Sequence, residues 1–159
     1  NKSLIDEITL ATNNQNPVDL SDLRANDDIQ KKLATDIELL GYNYKRKKDI
    51  NNPNDLIPLS ITAQAIYSIW KKQPHIAKFK RRELFGILYE KVYTKDLNAA
   101  QVIIAVLIYR YCDNQRKKDF LIGKYPHIPY SNYFLSMIIG KLLLEETKIG
   151  SLEVEIRKE

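Results

Sequence analysis

Asp96-Leu97-Asn98-Ala99-Ala100-Gln101-Val102-Ile103-Ile104-Ala105-Val106-Leu107-Ile108 is the stretch on which the fold turns. From Val102 to Ile108 every side chain is apolar, so a helix built here has no polar face. Such a helix is stable only when other elements surround it. The β-branched residues would also suit a buried strand, but the Ala-rich start and the length of the segment favour a helix. Asp96 is the expected N-cap and about Leu97 to Lys118 the expected extent. The apolar block, Ala99 to Tyr109 with Gln101 inside it, is too short to span a bilayer, so no membrane association is expected.

Helical patterns flank this segment on both sides. Ile29, Leu33, Ile37 and Leu40 recur at helical spacing, predicting a helix that starts near Asp27 and ends at Gly41, a natural C-cap. Ser60 is the expected cap of a helix whose Ile66, Ile69 and Trp70 face inward and which Lys71-Lys72-Gln73-Pro74 ends. Periodicity returns at Leu84, Phe85, Leu88 and Val92. Ser131 is the expected cap of a last apolar helix through Phe134, Met137, Ile138 and Leu142.

Between these lie an amphipathic segment at 3–11, a loop at 42–59 with a short strand near Tyr42–Lys45, and a loop at 124–129 bounded by Pro126 and Pro129. Leu152-Glu153-Val154-Glu155-Ile156 alternates like a strand. The expectation is a mainly α, compact multi-helix domain around a buried central helix, with minor β content. One helical domain would cover residues 1–150, and 151–159 would begin a truncated strand or a following segment. The start at Asn1 without Met suggests a piece of a longer protein.

At 159 residues, 44% apolar and 28% charged, the chain has the size and composition of one folded domain. A single cysteine, Cys112, rules out a disulfide framework and fits a reducing, cytoplasmic setting. Cys112 lies on the apolar helix and reads as a buried, inert thiol. His75 and His127 stand apart and read as surface or capping residues, so no metal or cofactor is expected. Phosphate loops, dinucleotide fingerprints, zinc-protease motifs and nucleophile elbows are all missing, so no catalytic residue is assigned. A metal-dependent nuclease would need converging acids; Asp22, Asp27, Glu153 and Glu155 are the candidates. Glu153-Val154-Glu155 has Glu where an acid–x–Lys arm needs Lys, which ranks that reading last.

Charge is concentrated in the middle of the chain. Residues 1–41 carry four basic and eight acidic side chains, residues 42–118 sixteen and six, and residues 119–159 five and six. The middle segment is thus at +10 in a chain of net +5. Its cations fall in three clusters: Lys45, Arg46, Lys47 and Lys48 beside Tyr42 and Tyr44; Lys71, Lys72, Lys78, Lys80, Arg81 and Arg82; and Arg110, Arg116, Lys117 and Lys118. Phosphate backbones are the common partner of clustered Lys and Arg, and exposed tyrosines offer stacking faces. Each cluster alone also suits a solvated helix end. The expected nucleic-acid contacts are Tyr42, Tyr44, Lys45, Arg46, Lys47, Lys48, Lys71, Lys72, Lys80, Arg81, Arg82, Arg116, Lys117 and Lys118. A polar loop at Thr12, Asn13, Asn14 and Gln15 offers further hydrogen-bonding groups without a charge.

Several short motifs, taken in order, carry a family resemblance. They are Ala11-Thr12-Asn13-Asn14-Gln15-Asn16, Asp22-Leu23-Arg24-Ala25-Asn26-Asp27 with Gln30, Gly41-Tyr42, and Tyr44-Lys45-Arg46-Lys47. Pro74-His75 with Ala77, Leu84-Phe85-Gly86 with Leu88-Tyr89, and Asp96-Leu97-Asn98-Ala99-Ala100-Gln101 follow. Together, over about residues 5–145, they resemble the abortive-infection phage-resistance (AIPR) family of bacterial and mobile-element proteins. The resemblance implies a cytoplasmic phage-defence protein of larger size, some of whose relatives carry a nuclease-like amino-terminal part. This chain would then be an internal or carboxy-terminal region, non-catalytic, whose partners are nucleic acid or that amino-terminal part.

Overall fold

The structure, a computed structural model, describes residues 20–46, 56–117 and 130–145. The segments expected at 3–11, 12–17, 124–129 and 152–156 lie outside these residues. Within them the chain forms α1 (Leu20–Arg24), α2 (Asp28–Leu39), β1 (Asn43–Lys45), β2 (Leu56–Pro58) and α3 (Leu59–Ile69). There follow α4 (Pro74–Phe79), α5 (Arg81–Phe85), α6 (Tyr89–Val92), α7 (Ala99–Arg116) and α8 (Ser131–Glu145). The architecture is mainly α, with one two-stranded sheet among the described residues.

The apolar stretch is helix α7, and Val102, Ile103, Ala105 and Val106 are fully buried in it. Its cap is Asn98, two residues beyond the expected Asp96. Asn98 Oδ1 accepts from the Gln101 amide at 2.9 Å, and Gln101 Oε1 accepts from the Asn98 amide at 3.1 Å. This reciprocal pair satisfies two backbone donors at once, which Asp96 has no partner to match. Cys112, on the same helix, is buried, and burial pushes its thiol up, away from reactivity.

Helix α3 is the second core element, with Thr62 through Ile69 all buried. It starts at Leu59, after Pro58, so Ser60 lies inside the first turn and does not cap it. The Thr62 hydroxyl instead donates to the Pro58 carbonyl at 2.8 Å. After Trp70 the chain turns through Lys72 at φ 54, and Pro74 restarts it as α4. Trp70 is only partly buried, and its indole N–H donates to the Gln101 carbonyl at 3.0 Å, tying α3 to the start of α7.

Helix α2 runs as its spacing predicts, with Leu33, Ile37 and Leu40 buried and Gly41 in the left-handed region at φ 81. The strand that follows pairs in parallel with β2, Tyr44 opposite Ile57. The Leu84–Val92 pattern, which suggests one helix, is broken into α5 and α6 around Gly86.

Helix α8 packs on α7 and α3 through an unexpected face. Asn132, Ser136 and Gly140 are buried, while Phe134, Leu135, Ile138, Leu142 and Leu143 are exposed. Small residues let α8 approach α3 closely: a Cβ on Gly140 would lie 2.6 Å from Ile69 Cγ2. Ser131 is the first residue of the helix itself. Among the described residues no helix is long and apolar enough to cross a membrane.

Candidate nucleic-acid interface

The first basic cluster is largely built into the fold. Strand alternation turns Tyr44 inward, where it is buried and its hydroxyl donates to Gln30 Oε1 at 2.6 Å. Gln30 Nε2 in turn donates to the Tyr89 hydroxyl at 2.8 Å. Burial raises both phenols well above the usual tyrosine range. Tyr44 is therefore a core residue, and the expectation that it stacks on bases is corrected. Tyr42 is half-buried against the same core. Arg46 Nη1 donates to the Ala25 carbonyl at 2.9 Å, so it clasps β1 to the end of α1. Lys45 is half-buried. Lys47 and Lys48 lie outside the described residues, as do Lys118 and the loop Thr12, Asn13, Asn14 and Gln15.

The second and third clusters sit differently. Lys71 and Lys72 occupy the turn after α3, and Lys80 pairs with Glu83 at 3.1 Å. Arg81 and Arg82 open α5, both exposed. On α7, Leu107, Arg110, Asn114 and Lys117 recur at helical spacing and so share one face. That face borders an open cleft of about 690 Å³, lined also by Ile61 and Gln64 of α3, Arg81 of α5 and Tyr133 of α8. The fold thus brings Arg81 of the second cluster to Arg110 and Lys117 of the third.

Charges in the cleft do not balance. Asp113 accepts from Arg116 Nη2 at 2.7 Å and lies 2.6 Å from Lys117 Nζ. Burial alone would raise its carboxyl, but hydrogen bonds from Lys117 and Arg116, with their charges, outweigh this and hold it below the usual carboxylate range. Lys117 is thereby partly neutralised. Arg110 is half-buried, and desolvation lowers its pKa; among the described residues neither it nor Arg81 has an ion-pair partner. A guanidinium partly removed from water without a counter-charge favours an incoming anion.

The back wall is fixed by hydrogen bonds. Gln64, 4% exposed, donates through Nε2 to the Ala77 carbonyl at 3.0 Å and to the Tyr133 hydroxyl at 2.9 Å. Tyr133 meets Tyr109 edge-on at 5.4 Å. Arg110 stands in the third cluster but outside the expected contacts, and Gln64, Asp113, Asn114 and Tyr133 carry no motif. The one signal for Arg110 is a cation directly after seven apolar residues and Tyr109 on a core helix.

Of the nuclease candidates, Asp22 and Asp27 lie among the described residues. Asp22 is on α1, and Asp27 precedes α2 and pairs with Arg24 at 3.4 Å. Glu153 and Glu155 lie outside the described residues. Among the described residues no group of three or more His, Cys, Asp or Glu side chains is placed to hold a metal ion.

The family model of the AIPR protein matches residues 1–154. The chain belongs to the AIPR family. AIPR membership places it among phage-defence proteins of the abortive-infection type, and the match spans every residue that lines the cleft. Comparison with the curated proteins found no match to this AIPR chain, and neither did comparison with the solved structures.

Proposed function

We propose that this AIPR chain is a non-catalytic helical region of a cytoplasmic phage-defence protein that contacts nucleic acid through a cationic face around Arg81, Arg110 and Lys117. The observation that carries this reading is the cleft itself, where cations from two sequence clusters meet and two guanidinium groups have no counter-charge among the described residues. Arg82 and Arg116 would extend the face, whereas Lys71 and Lys72 sit at the far end of α3, where Trp70 meets Gln101 of α7. Contacts of this kind neutralise phosphates and carry no base preference. Binding to duplex DNA, single-stranded DNA and RNA, titrated with salt, tests it: affinity should fall steeply and linearly on a logarithmic salt axis. No binding at low salt would refute it.

A second reading is favoured by a different surface. The exposed Phe134, Leu135, Ile138, Leu142 and Leu143 form an apolar strip on α8, which fits an interaction domain that packs on another part of a longer AIPR protein or on a partner. Ile138→Lys with Leu142→Lys should abolish such an association while leaving oligonucleotide binding intact. If it weakens neither, the strip has no partner of this kind.

A further inference from the structure

We infer that the Arg81–Arg110 cleft is a binding site for a terminal phosphate group, a phosphomonoester dianion with a planar or apolar body attached. The inference rests on the same cleft as the nucleic-acid reading but asks for more: a phosphate at a chain end or on a free nucleotide, not one within a strand.

Charge is the first argument. Arg81, Arg110 and Lys117 line the cleft beside the carboxylate of Asp113, and Arg81 and Arg110, which have no ion-pair partner among the described residues, give it two uncompensated positive charges. Arg116 and Lys117 both bind that carboxylate, so it is fully occupied. A phosphomonoester carries about −1.5 to −2 near neutral pH, because its second pKa is about 6. A phosphodiester or a carboxylate carries only a single negative charge. The monoester is thus the common anion that matches the surplus.

Geometry is the second. The two cations left without partners among the described residues are both arginines, whose planar forks meet phosphate oxygens in pairs, as a Lys ammonium does not. Arg110 rises from a core helix and is half-buried, so its position is largely set before a ligand arrives. Ordering it on binding therefore costs less than ordering a surface lysine.

Shape is the third. A volume of about 690 Å³ lies within the range of small-molecule pockets, roughly 300–1,000 Å³. Ile61, Leu107 and the Tyr133 ring give part of the lining an apolar surface that suits the body of a nucleotide.

The test titrates the 159-residue protein with two pairs of ligands. One pair is adenosine 5′-monophosphate and adenosine; the other is a short single strand with a 5′-phosphate and the same strand with a 5′-hydroxyl. At least one phosphorylated member should bind roughly tenfold more tightly than its counterpart. Arg81→Gln and Arg110→Gln should each erase that preference, whereas Lys91→Gln, an equal loss of charge at an exposed site elsewhere, should keep it. Arg81 is exposed, so its variant folds whatever becomes of Arg110. Preference within the nucleotide pair alone identifies a free nucleotide as the ligand, and preference within the strand pair alone identifies a nucleic-acid end. Salt-sensitive binding of all strands with no phosphate preference in either pair overturns this inference and leaves the nucleic-acid reading standing. Preference for the monophosphate without any strand binding supports the inference and removes the other reading.

Discussion

Gly140→Ala is the substitution that most directly probes how α8 seats on the core. In an exposed helix interior this change stabilises by about 1 kcal/mol, because Gly loses more backbone freedom on folding. Here the added Cβ would stand 2.6 Å from Ile69 Cγ2 and 3.4 Å from Cγ1. Ile69 is buried, 3% exposed, and its β-branched side chain is stiff at χ1 in a helix, so it cannot swing aside cheaply. Overfilling a close-packed site costs about 1–3 kcal/mol. The net expectation is a loss of about 1 kcal/mol. Ile69→Ala alone should cost about 2–5 kcal/mol by opening a cavity. In that background Gly140→Ala meets no clash and should become stabilising by about 1 kcal/mol. The two measurements together give a coupling of about 2 kcal/mol, within the range found for residues in direct contact. Urea denaturation of the parent and the three variants at equal slope reads it out. A Gly140→Ala protein more stable than the parent, with Ile69 intact, would refute the close approach of α8 to α3.

Tyr44→Phe should cost about 1–3 kcal/mol in urea denaturation, since it leaves Gln30 Oε1 buried without its donor. The same variant should bind oligonucleotides as the parent does, because the ring it alters lies in the core. Asn98→Ala should lower stability by about 0.5–2 kcal/mol by opening the capping box of α7, measured as a fall in the denaturation midpoint. Asp113 has a folded-state carboxyl below its unfolded value of about 3.9, so its ion pairs stabilise the fold above that pH and lose their effect as pH falls through the folded value. Asp113→Asn should therefore be slightly less stable at neutral pH, by about 1 kcal/mol or less, with a flatter acid limb in a pH series of thermal melts. It should also bind oligonucleotides more tightly, as a negative charge leaves the cleft.

The core was legible in the sequence where one residue type dominates a long run. The Ala-rich start and the length of the all-apolar run identify α7, and the regular spacing of Leu33, Ile37 and Leu40 identifies α2, because periodicity reports burial directly. Ends are harder. Asp96 and Asn98 are both good capping residues, and only the pairing of Asn98 with Gln101 three positions on decides between them. Helix α8 shows a different failure: its large apolar residues suggest an inward face, yet contact with α3 selects the small residues Ser136 and Gly140 and turns Phe134, Ile138 and Leu142 outward. Tyr44 was misleading because a tyrosine inside a basic run has the look of a stacking platform, whereas a strand register decides which side of the sheet it occupies.

The candidate site was legible only in its charge. Composition shows that the middle of the chain is basic, and the clusters show where. Their meeting at one cleft depends on α5 and α7 both packing on α3, which no local pattern records. Arg46 and Lys80, equal members of the clusters by sequence, are spent on Ala25 and Glu83, while Arg110 is left without a partner among the described residues. Lining residues such as Gln64 and Tyr133 belong to no motif because their role is to hold three helices together.

The salt dependence of single-strand binding, compared between the parent and a variant carrying both Arg81→Glu and Arg110→Glu, tests the central claim most directly. Each phosphate contact contributes about 0.7 to the slope for a single strand. Loss of both arginines should weaken binding across all sequences and make the slope shallower by about 1.4. An unchanged affinity and slope, with the variant folded, would mean that the cleft does not meet nucleic acid.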